Sequence, residues 1–270
     1  MFMITFKEDE HKYEGNGIKW TSVTSFIGLF KESFDPIAAA EKATQNKKSK
    51  WFNMSVQDIL NAWDLERDRS VTLGNWYHKQ RESDIVGCDT IEREGVNLTI
   101  NPPVIKDGVK ISLNQKLEDG IYPEHIVYLE SIGLCGQADL VEVVNGKINI
   151  TDFKTNKEIK KTSFVKNGVS KKMKAPLSHL DDCNFNHYSL QLSLYAYMIK
   201  KHNPKLKIGK LTIQHVIFKQ LGLDKYGYPV NDYVNGEPIV KDVIFNDVVY
   251  LNNEIENLII WAKNNGYKTF

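Results

Sequence analysis

The stretch "DLVEVVNGKINITDFK", residues 139–154, constrains the fold of this chain more than any other. Two runs rich in valine and isoleucine flank Asn145 and Gly146. An Asn-Gly pair in that setting is the strongest short-range signal for a two-residue hairpin turn, because both residues tolerate positive φ. Counting outward from this turn places Asp139 opposite Asp152. The sequence therefore predicts a β-hairpin with two facing carboxylates at its open end.

Two facing carboxylates need a positive charge beside them. Directly opposed residues of an antiparallel pair share one face of the sheet, with Cβ atoms ~4.5–5.5 Å apart. At that distance two negative charges repel by roughly 3 kcal/mol at an effective dielectric of ~20. Lys154 lies two residues beyond Asp152, so the strand period of two returns it to the same face. A cluster of two aspartates and a lysine is expected there.

Two interpretations of this cluster remain open on the hairpin alone. A tight group of oxygen ligands suits a hard divalent cation such as magnesium or manganese, and a neighbouring lysine can position or deprotonate a water. In the alternative, Asp139 and Asp152 only end two strands at the solvent edge, with Lys154 as their surface salt bridge.

Composition indicates an ordinary globular protein. The chain has 270 residues, of which 41% are hydrophobic and 26% are charged, and this fits one large domain or two small ones. No apolar run approaches the about 18 residues of a membrane span, and the N-terminus gains acidic residues too early for a signal peptide. We therefore expect an intracellular protein without a membrane partner. Its three cysteines have no paired spacing, so neither a disulfide framework nor a zinc site is expected.

The net charge of +1 means that any affinity for nucleic acid has to come from a local concentration of charge. The segment from Lys154 to Lys174 contains eight lysines and one glutamate. Such a run is usually only a solvated loop. Here it directly follows the predicted hairpin and carries Phe164, Val165 and Met173 among its charges. The pattern favours a basic lid over a phosphate-bearing substrate.

Two helices are predicted ahead of the hairpin, at 35–66 and at 70–85. In the second, Gly74, His78 and Glu82 recur every four residues and so share one face. Glycine costs about 1 kcal/mol relative to alanine inside a helix, so Gly74 indicates a close approach to another part of the molecule. Close packing with His78 as a boundary residue is the alternative to a ligand role.

Residues 86–124 give no secure assignment. Counted from the helix at 70–85, the patterns predict the order α, β, β, β, α, β, followed by a further helical stripe near the C-terminus. From residue 124 onward the predicted elements are strands at 124–132, 135–144 and 147–154, a helix at 186–201 and a strand at 210–219. Gln191 and Tyr195 share one face of that helix.

Four short motifs in this order resemble those of the PD-(D/E)XK nuclease superfamily, and within it the RecB-like branch of phage and mitochondrial genome-maintenance exonucleases. "GNWYHKQRE" resembles the branch's helix with a glycine, a metal-binding histidine and a glutamate. "GQAD" resembles the GxxD motif, "DFK" the (D/E)XK motif, and "QLSLY" the QxxxY motif that marks the branch. The match runs from about Leu73 to Phe218, roughly half the chain. The segment "HKYEGNGIKWTSVTSFI" is also similar to one that precedes the core in phage members.

The resemblance implies a fold and a domain division. The expected fold is α/β, with a restriction-endonuclease-like core in which helices flank a mixed central sheet of α, β, β, β, α, β order. Residues 1–69 would form a strand and helical lead-in packed on the core, and residues 70–270 would form the nuclease core as one compact unit.

The resemblance also implies a metal centre. His78, Asp139, Asp152 and the backbone carbonyl of Phe153 would bind one or two magnesium or manganese ions. Lys154 would orient and activate the attacking water, while the metal polarises the scissile phosphate and lowers the pKa of the water.

Further roles follow from the same motifs. Gln191 and Tyr195 would hold the DNA backbone or position Lys154, and Glu82 would take a catalytic part. Glu130 is considered as an acidic residue from the strand before the hairpin. The charge of the basic segment, independently of the motifs, predicts that three of its lysines contact DNA: Lys171, Lys172 and Lys174.

The expected function is that of a metal-dependent DNA exonuclease acting on single strands or ends in recombination, repair or replication, in the cytoplasm of a bacterial or phage-infected cell. The alternatives are a structure-specific or restriction-like endonuclease of the same superfamily, and a DNA-binding protein without catalysis. With three unrelated cysteines, the iron–sulfur cluster of some relatives is not expected. With no Walker motif, a helicase would be a separate partner, as would a recombinase or a single-strand-binding protein.

Overall fold

The structure is a computed structural model that describes five stretches of the chain, namely residues 3–8, 10, 12–112, 115–166 and 168–267. His11, the first residue of the N-terminal motif, lies outside them. Over the described residues the protein is a mixed α/β structure with several sheets and five α-helices. No helix in this part of the chain combines the length and the apolar character that a membrane span needs.

The helices are α1 (Val23–Gly28), α2 (Pro36–Gln45), α3 (Val56–Val86), α4 (Asn184–His202) and α5 (Asn252–Asn264), with a short 3₁₀ helix at Glu130–Ile132. The strands of the first half are β1 (Thr5–Lys7), β2 (Lys12–Glu14), β3 (Thr21–Ser22), β4 (Thr90–Arg93), β5 (Val96–Thr99), β6 (Val104–Lys106), β7 (Val109–Ile111), β8 (Gly120–Leu129) and β9 (Leu134–Val144). Those of the second half are β10 (Lys147–Lys154), β11 (Val165–Lys166), β12 (Val169–Ser170), β13 (Lys207–Phe218), β14 (Gln220–Leu223), β15 (Pro229–Asn231), β16 (Tyr233–Val234), β17 (Glu237–Pro238) and β18 (Val240–Val248).

The central sheet is built around the predicted hairpin. Its strand order is β18, β13, β10, β9, β3. Strand β8 lies off this path and also pairs with β9. Strands β10 and β13 are parallel, and β9 is antiparallel to both β8 and β10. Asn145 and Gly146 have φ of 49° and 70°, and Val144 pairs with Lys147, so the predicted turn and register are confirmed.

Helices cover both faces of this sheet. Alternate hairpin residues such as Val141 and Ile150 pack with α4 in the main core, while Leu140 and Phe153 pack with Tyr77 of α3. Helix α4 is buried on nearly all sides, because it contacts α1 and α5 as well as the sheet. This three-layer packing places α3 and α4 on opposite sides of the open end of the hairpin.

Helix α3 is longer than predicted. The sequence predicted separate helices at 35–66 and 70–85, whereas the first part folds as α2 and then α3 runs unbroken from Val56 to Val86. The Ser55 hydroxyl accepts a hydrogen bond from the backbone N–H of Asp58 at 3.1 Å, which caps the N-terminus of α3.

A second sheet packs beside the central one. It contains β2, β1, β7 and β6 in that order. Its residues Ile4 and Phe6 share a small core with Ile126 and Tyr128 of β8. The N-terminal strand β1 pairs with β7, which lies about a hundred residues later in the sequence. This sheet therefore brings β7 against the face of β8.

Candidate metal centre

The centre lies where the hairpin strands separate. The ladder between β9 and β10 ends at the pair Leu140 and Thr151, one step before the two aspartates. Beyond it, Asp139 Oδ2 accepts a hydrogen bond from the backbone N–H of Phe153 at 2.6 Å. Asp139 is 9% exposed and Asp152 is 1% exposed. Both carboxylates are buried, so the interpretation as strand ends at the solvent edge does not hold.

Lys154 is paired with Asp152, as the strand period indicated. Its Nζ lies 2.5 Å from Asp152 Oδ2 and 4.8 Å from the centre of the Tyr188 ring. Burial alone would lower the pKa of Lys154, but the charges of Asp152 and Asp139 outweigh it and raise the pKa. Burial raises the pKa of Asp152 to about 6, with Asp139 adding to the shift and Lys154 opposing it. The lysine is therefore a charged donor.

His78 of α3 contacts both strands. Its Nδ1 lies 3.3 Å from Asp139 Oδ1, and its Nε2 lies 3.1 Å from the backbone oxygen of Phe153. Burial works to lower the pKa of His78, but Asp139 outweighs it and raises the pKa to about 9. Burial conversely acts to raise the pKa of Asp139, and the charge of His78 lowers it below its ordinary value. Two acceptors facing two ring nitrogens fit an imidazolium.

Glu124 completes a group that could hold a cation. Ligand atoms of His78, Glu124 and Asp139 all lie within 4.8 Å of one another. Glu124 sits on β8 with φ of 50°, between two residues that pair with the neighbours of Asp139. Burial raises its pKa to about 8, helped by Asp139 and opposed by Lys110. Asp152 is outside this compact group, with its oxygens facing Gln191 and Lys154.

The sequence suggested Glu130 as the acidic residue on the strand before the hairpin. That placement of Glu130 on the strand was wrong. Glu130 begins the 3₁₀ helix after β8, so it is not part of the strand at all. The turn between β8 and β9 contains no Asn-Gly pair that would fix the register in advance. The sequence can point to Glu124 only once Leu129 is known to pair with Leu134. Counting back from that pair then places Glu124 opposite Asp139.

Lys110 is a further residue that the sequence did not indicate. It is 7% exposed on β7, in the region that gave no secure assignment. Its Nζ lies 3.3 Å from Glu82 Oε2 and 3.6 Å from Glu124 Oε2. Burial opposes its charge, but Glu124 and Glu82 outweigh this and raise its pKa. Glu82 thus reaches the centre through Lys110, not by joining the compact group of ligands.

Gln191 and Tyr195 lie behind Asp152. Gln191 Nε2 donates to Asp152 Oδ1 and to the Tyr195 hydroxyl, each at 3.1 Å. Both side chains are buried, at 8% and 3% exposed. A Cβ on Gly136 would lie 2.6 Å from Tyr195 Cε1, so the glycine of the "GQAD" motif leaves room for this ring. The pair therefore fixes the orientation of Asp152.

The basic segment is partly neutralised. Lys171 Nζ lies 2.9 Å from Asp182 Oδ2, and Lys172 Nζ lies 2.6 Å from Asp181 Oδ1. Lys174 is exposed and forms no ion pair with the described residues. Phe164 is 76% exposed on the same segment, whereas Met173 is buried. The segment presents an apolar tip with less free charge than its composition indicates.

The donor set of the centre fits a hard divalent cation. One imidazole nitrogen and two carboxylates converge, and the Phe153 carbonyl and the Asp152 carboxylate lie next to them. Oxygen-rich sites of this kind suit magnesium and manganese, while thiolate ligands are absent from the described centre. Binding would require His78 and Glu124, whose pKa values are raised to about 9 and about 8, to release protons.

No protein-family model matches the chain, and no curated protein matches it. Among solved structures, one described as "Crystal structure of SSO0001" is 13% identical to this chain, with a TM-score of 0.34 over 96% of this chain and 82% of that one. Similarity at that level supports no conclusion about the core fold or about function. The class that the structure itself defines is a mixed α/β protein in which buried aspartates contact a half-buried histidine and a half-buried lysine.

Proposed function

We propose that this protein is a metal-dependent deoxyribonuclease with a restriction-endonuclease-like core, and an exonuclease of the RecB-like type. The observation that carries the proposal is the convergence of four separated motifs on one buried point. His78 contacts Asp139, the Phe153 carbonyl lies beside His78, and Lys154 and Gln191 both contact Asp152. Burying paired charges is costly, and apolar residues could fill the same space. A cluster of this composition therefore indicates more than a structural role.

The residues divide into a cation-binding group and a group that handles the substrate. His78, Glu124 and Asp139 would hold magnesium or manganese, with the Phe153 carbonyl and Asp152 adjacent. A cation held there would polarise the scissile phosphate and lower the pKa of a water.

Lys154 acts as a donor in this proposal. Because Asp152 and Asp139 raise its pKa, the ammonium keeps its proton near neutral pH. It can hydrogen-bond the attacking water and offset the charge that develops on the phosphate, but it is not suited to removing a proton. Gln191 positions Lys154 indirectly, by holding the Asp152 carboxylate that pairs with it.

The test uses end-labelled linear DNA and circular single-stranded DNA, each with magnesium, manganese or EDTA. We expect nucleotides to be released from linear DNA only with the metal, and the circle to stay intact. Lys154→Ala should lower the rate at least a hundredfold. Lys147→Ala, on an exposed residue at the tip of the same hairpin, should leave it unchanged.

Each alternative predicts a different result. Cleavage of the circle would favour the endonuclease, and binding without cleavage would favour the DNA-binding protein. Full activity of Lys154→Ala would refute the proposed chemistry.

A further inference from the structure

A pocket of about 590 Å³ lies beyond the carboxyl ends of β10 and β13. We call it the strand-end pocket, and its walls come from α3, from residues 155–157 after β10, from the end of β13 and from the β14 to β17 hairpins. Ligand pockets typically measure ~300–1,000 Å³, and in open α/β sheets ligands bind outside the carboxyl ends of parallel strands. Both its size and its position are those of a ligand site.

The strand-end pocket adjoins the candidate metal centre. Trp76 lines the pocket from α3, the helix that also carries His78. Thr155 and Asn156 line it from the other side, directly after Lys154. The Tyr188 hydroxyl donates to Asn156 Oδ1 at 2.7 Å, and the Tyr188 ring also faces the Lys154 ammonium. A strand held at the centre could therefore extend into the pocket.

The walls combine aromatic and aliphatic side chains with free amides. Leu73 and Trp76 are partly buried there, the Trp76 ring packs edge-to-face on the buried Phe218 ring at 6.2 Å, and Tyr233 is exposed at the rim. Gln220 and Asn231 supply side-chain amides, and neither amide is hydrogen-bonded to protein within the described part of the chain. Aromatic rings stack on nucleobases, and amides pair with the hydrogen-bonding edges of bases.

The charges around the strand-end pocket argue against a phosphate as its occupant. Arg69 Nη1 lies 2.6 Å from Asp224 Oδ2, and Lys157 Nζ lies 2.8 Å from Glu66 Oε1. Each cation at the pocket is thus matched by a carboxylate. A neutral planar group fits such a lining better than an anion does.

We propose that the strand-end pocket receives the unpaired base of a nucleotide near the scissile phosphate, an inference that rests on the proposed function. The pocket would hold the base while the backbone crosses the metal centre. The protein would accordingly require a single-stranded segment at this position, whichever end it digests from.

The test is an abasic scan read out by binding. A fluorescent single-stranded oligonucleotide and a set of copies, each with one abasic site at a different position, are titrated with the full-length protein in EDTA. Fluorescence anisotropy then gives a Kd for each without cleavage. We expect about tenfold weaker binding when the abasic site falls at one or two adjacent positions, and no change elsewhere.

Variants assign that effect to the pocket. The double variant Gln220→Ala, Asn231→Ala and the separate variant Tyr233→Ala, on a half-exposed residue of the rim, should bind the intact strand more weakly and give a flat scan. Asn253→Ala, on an exposed asparagine of α5, should behave like the unmodified protein. Equal thermal melting of all variants controls for folding.

The outcomes separate this inference from the proposed function. A flat scan with the unmodified protein, or the same position dependence in the pocket variants, would overturn the pocket while leaving any observed cleavage intact. A position-dependent scan that the variants abolish, in a protein that cleaves no DNA, would support the pocket and overturn the nuclease. Absence of any DNA binding in EDTA would overturn the pocket, while cleavage with magnesium or manganese decides the nuclease separately.

Discussion

At the scale of single residues, Glu124 is the side chain whose role differs most from the expectation. It shares a compact group with His78 and Asp139, whereas Glu130 lies beyond the end of β8. We expect Glu124→Gln to weaken manganese binding at least about tenfold, because one of three converging ligands loses its charge. Glu130→Gln is the matched control and should bind manganese normally. Isothermal titration calorimetry measures the manganese affinity of both variants. Equal affinities would show that Glu124 is not a ligand of the centre.

His125, next to Glu124 on β8, makes the stability sensitive to acid. It is 2% exposed, and neither of its ring nitrogens is hydrogen-bonded within the described residues. Burial, helped by the charge of His202, lowers its pKa from 6.5 to about 4. The unfolded chain therefore takes up this proton first as the pH falls. The associated stability is fully present above about pH 6.5 and is lost between there and about pH 4.

The lost stability from His125 should be about 3 kcal/mol. In His125→Leu that part of the acid loss should disappear, while stability at pH 7 stays equal or rises because two unsatisfied nitrogens are removed. Urea unfolding at a series of pH values between 4 and 7 measures both effects. Parallel pH profiles for the variant and the unmodified protein would show that His125 is not the responsible group.

At the scale of elements, the packing of α4 on β9 depends on a glycine, Gly136. A Cβ on Gly136 would enter the ring of Tyr195, which holds Gln191 and through it Asp152. We expect Gly136→Ala to lower the free energy of unfolding by about 2 kcal/mol, since overpacking a filled core costs ~1–3 kcal/mol. Nuclease activity should fall with it. Gly222→Ala is the control, because a Cβ there meets no atom within 4 Å.

A second substitution separates the two effects of the Gly136 change. Adding Tyr195→Leu to Gly136→Ala removes the ring that the new methyl group strikes, so stability should recover in part, with a remaining loss from the smaller side chain and the unpaired Gln191 amide. Activity should not, because Gln191 loses its hydroxyl partner. Chemical denaturation and the initial rate on linear DNA give the two quantities. Recovery of both together would mean that Tyr195 serves packing alone.

The sequence predicted those elements whose determinants are local. The register of β9 and β10 followed from Asn145 and Gly146, which set the turn by themselves. Helix α4 and strand β13 were predicted from the pattern of apolar residues in their sequences. The break predicted before residue 70 was wrong, because the charged residues there continue the helix, with Arg67 paired to Asp64 three residues earlier.

The rest of the centre depended on strand pairings that no local motif specifies. Glu124 enters through the pairing of β8 with β9, which no turn motif specifies. Lys110 enters because β7 joins a sheet with the N-terminal strand β1, and the two are about a hundred residues apart. Neither relationship leaves a periodic or spacing signal in the sequence. Position in such cases is set by the register and partners of strands in a sheet, which one sequence does not reveal.

At the scale of the whole molecule, the N-terminal region is joined to the centre. Strand β1 pairs with β7, which carries Lys110, and Ile4 and Phe6 fill a core with residues of β8. Helix α3 also runs through position 69, where the sequence placed the division between the lead-in and the core. Shared sheet, shared core and an unbroken helix favour cooperative unfolding of the chain as one unit.

A fragment of residues 70–270 tests this cooperativity. Removing residues 1–69 would cut α3, expose the partners of Ile4 and Phe6 on β8, and leave β7 without its partner β1. We expect the full chain to melt in a single calorimetric transition and the fragment to show none, to aggregate and to lose manganese binding. Because an exposed apolar surface and a free strand edge both promote association, the aggregation should grow with protein concentration. A fragment that melts cooperatively and binds manganese as the full chain does would establish residues 70–270 as an independent domain.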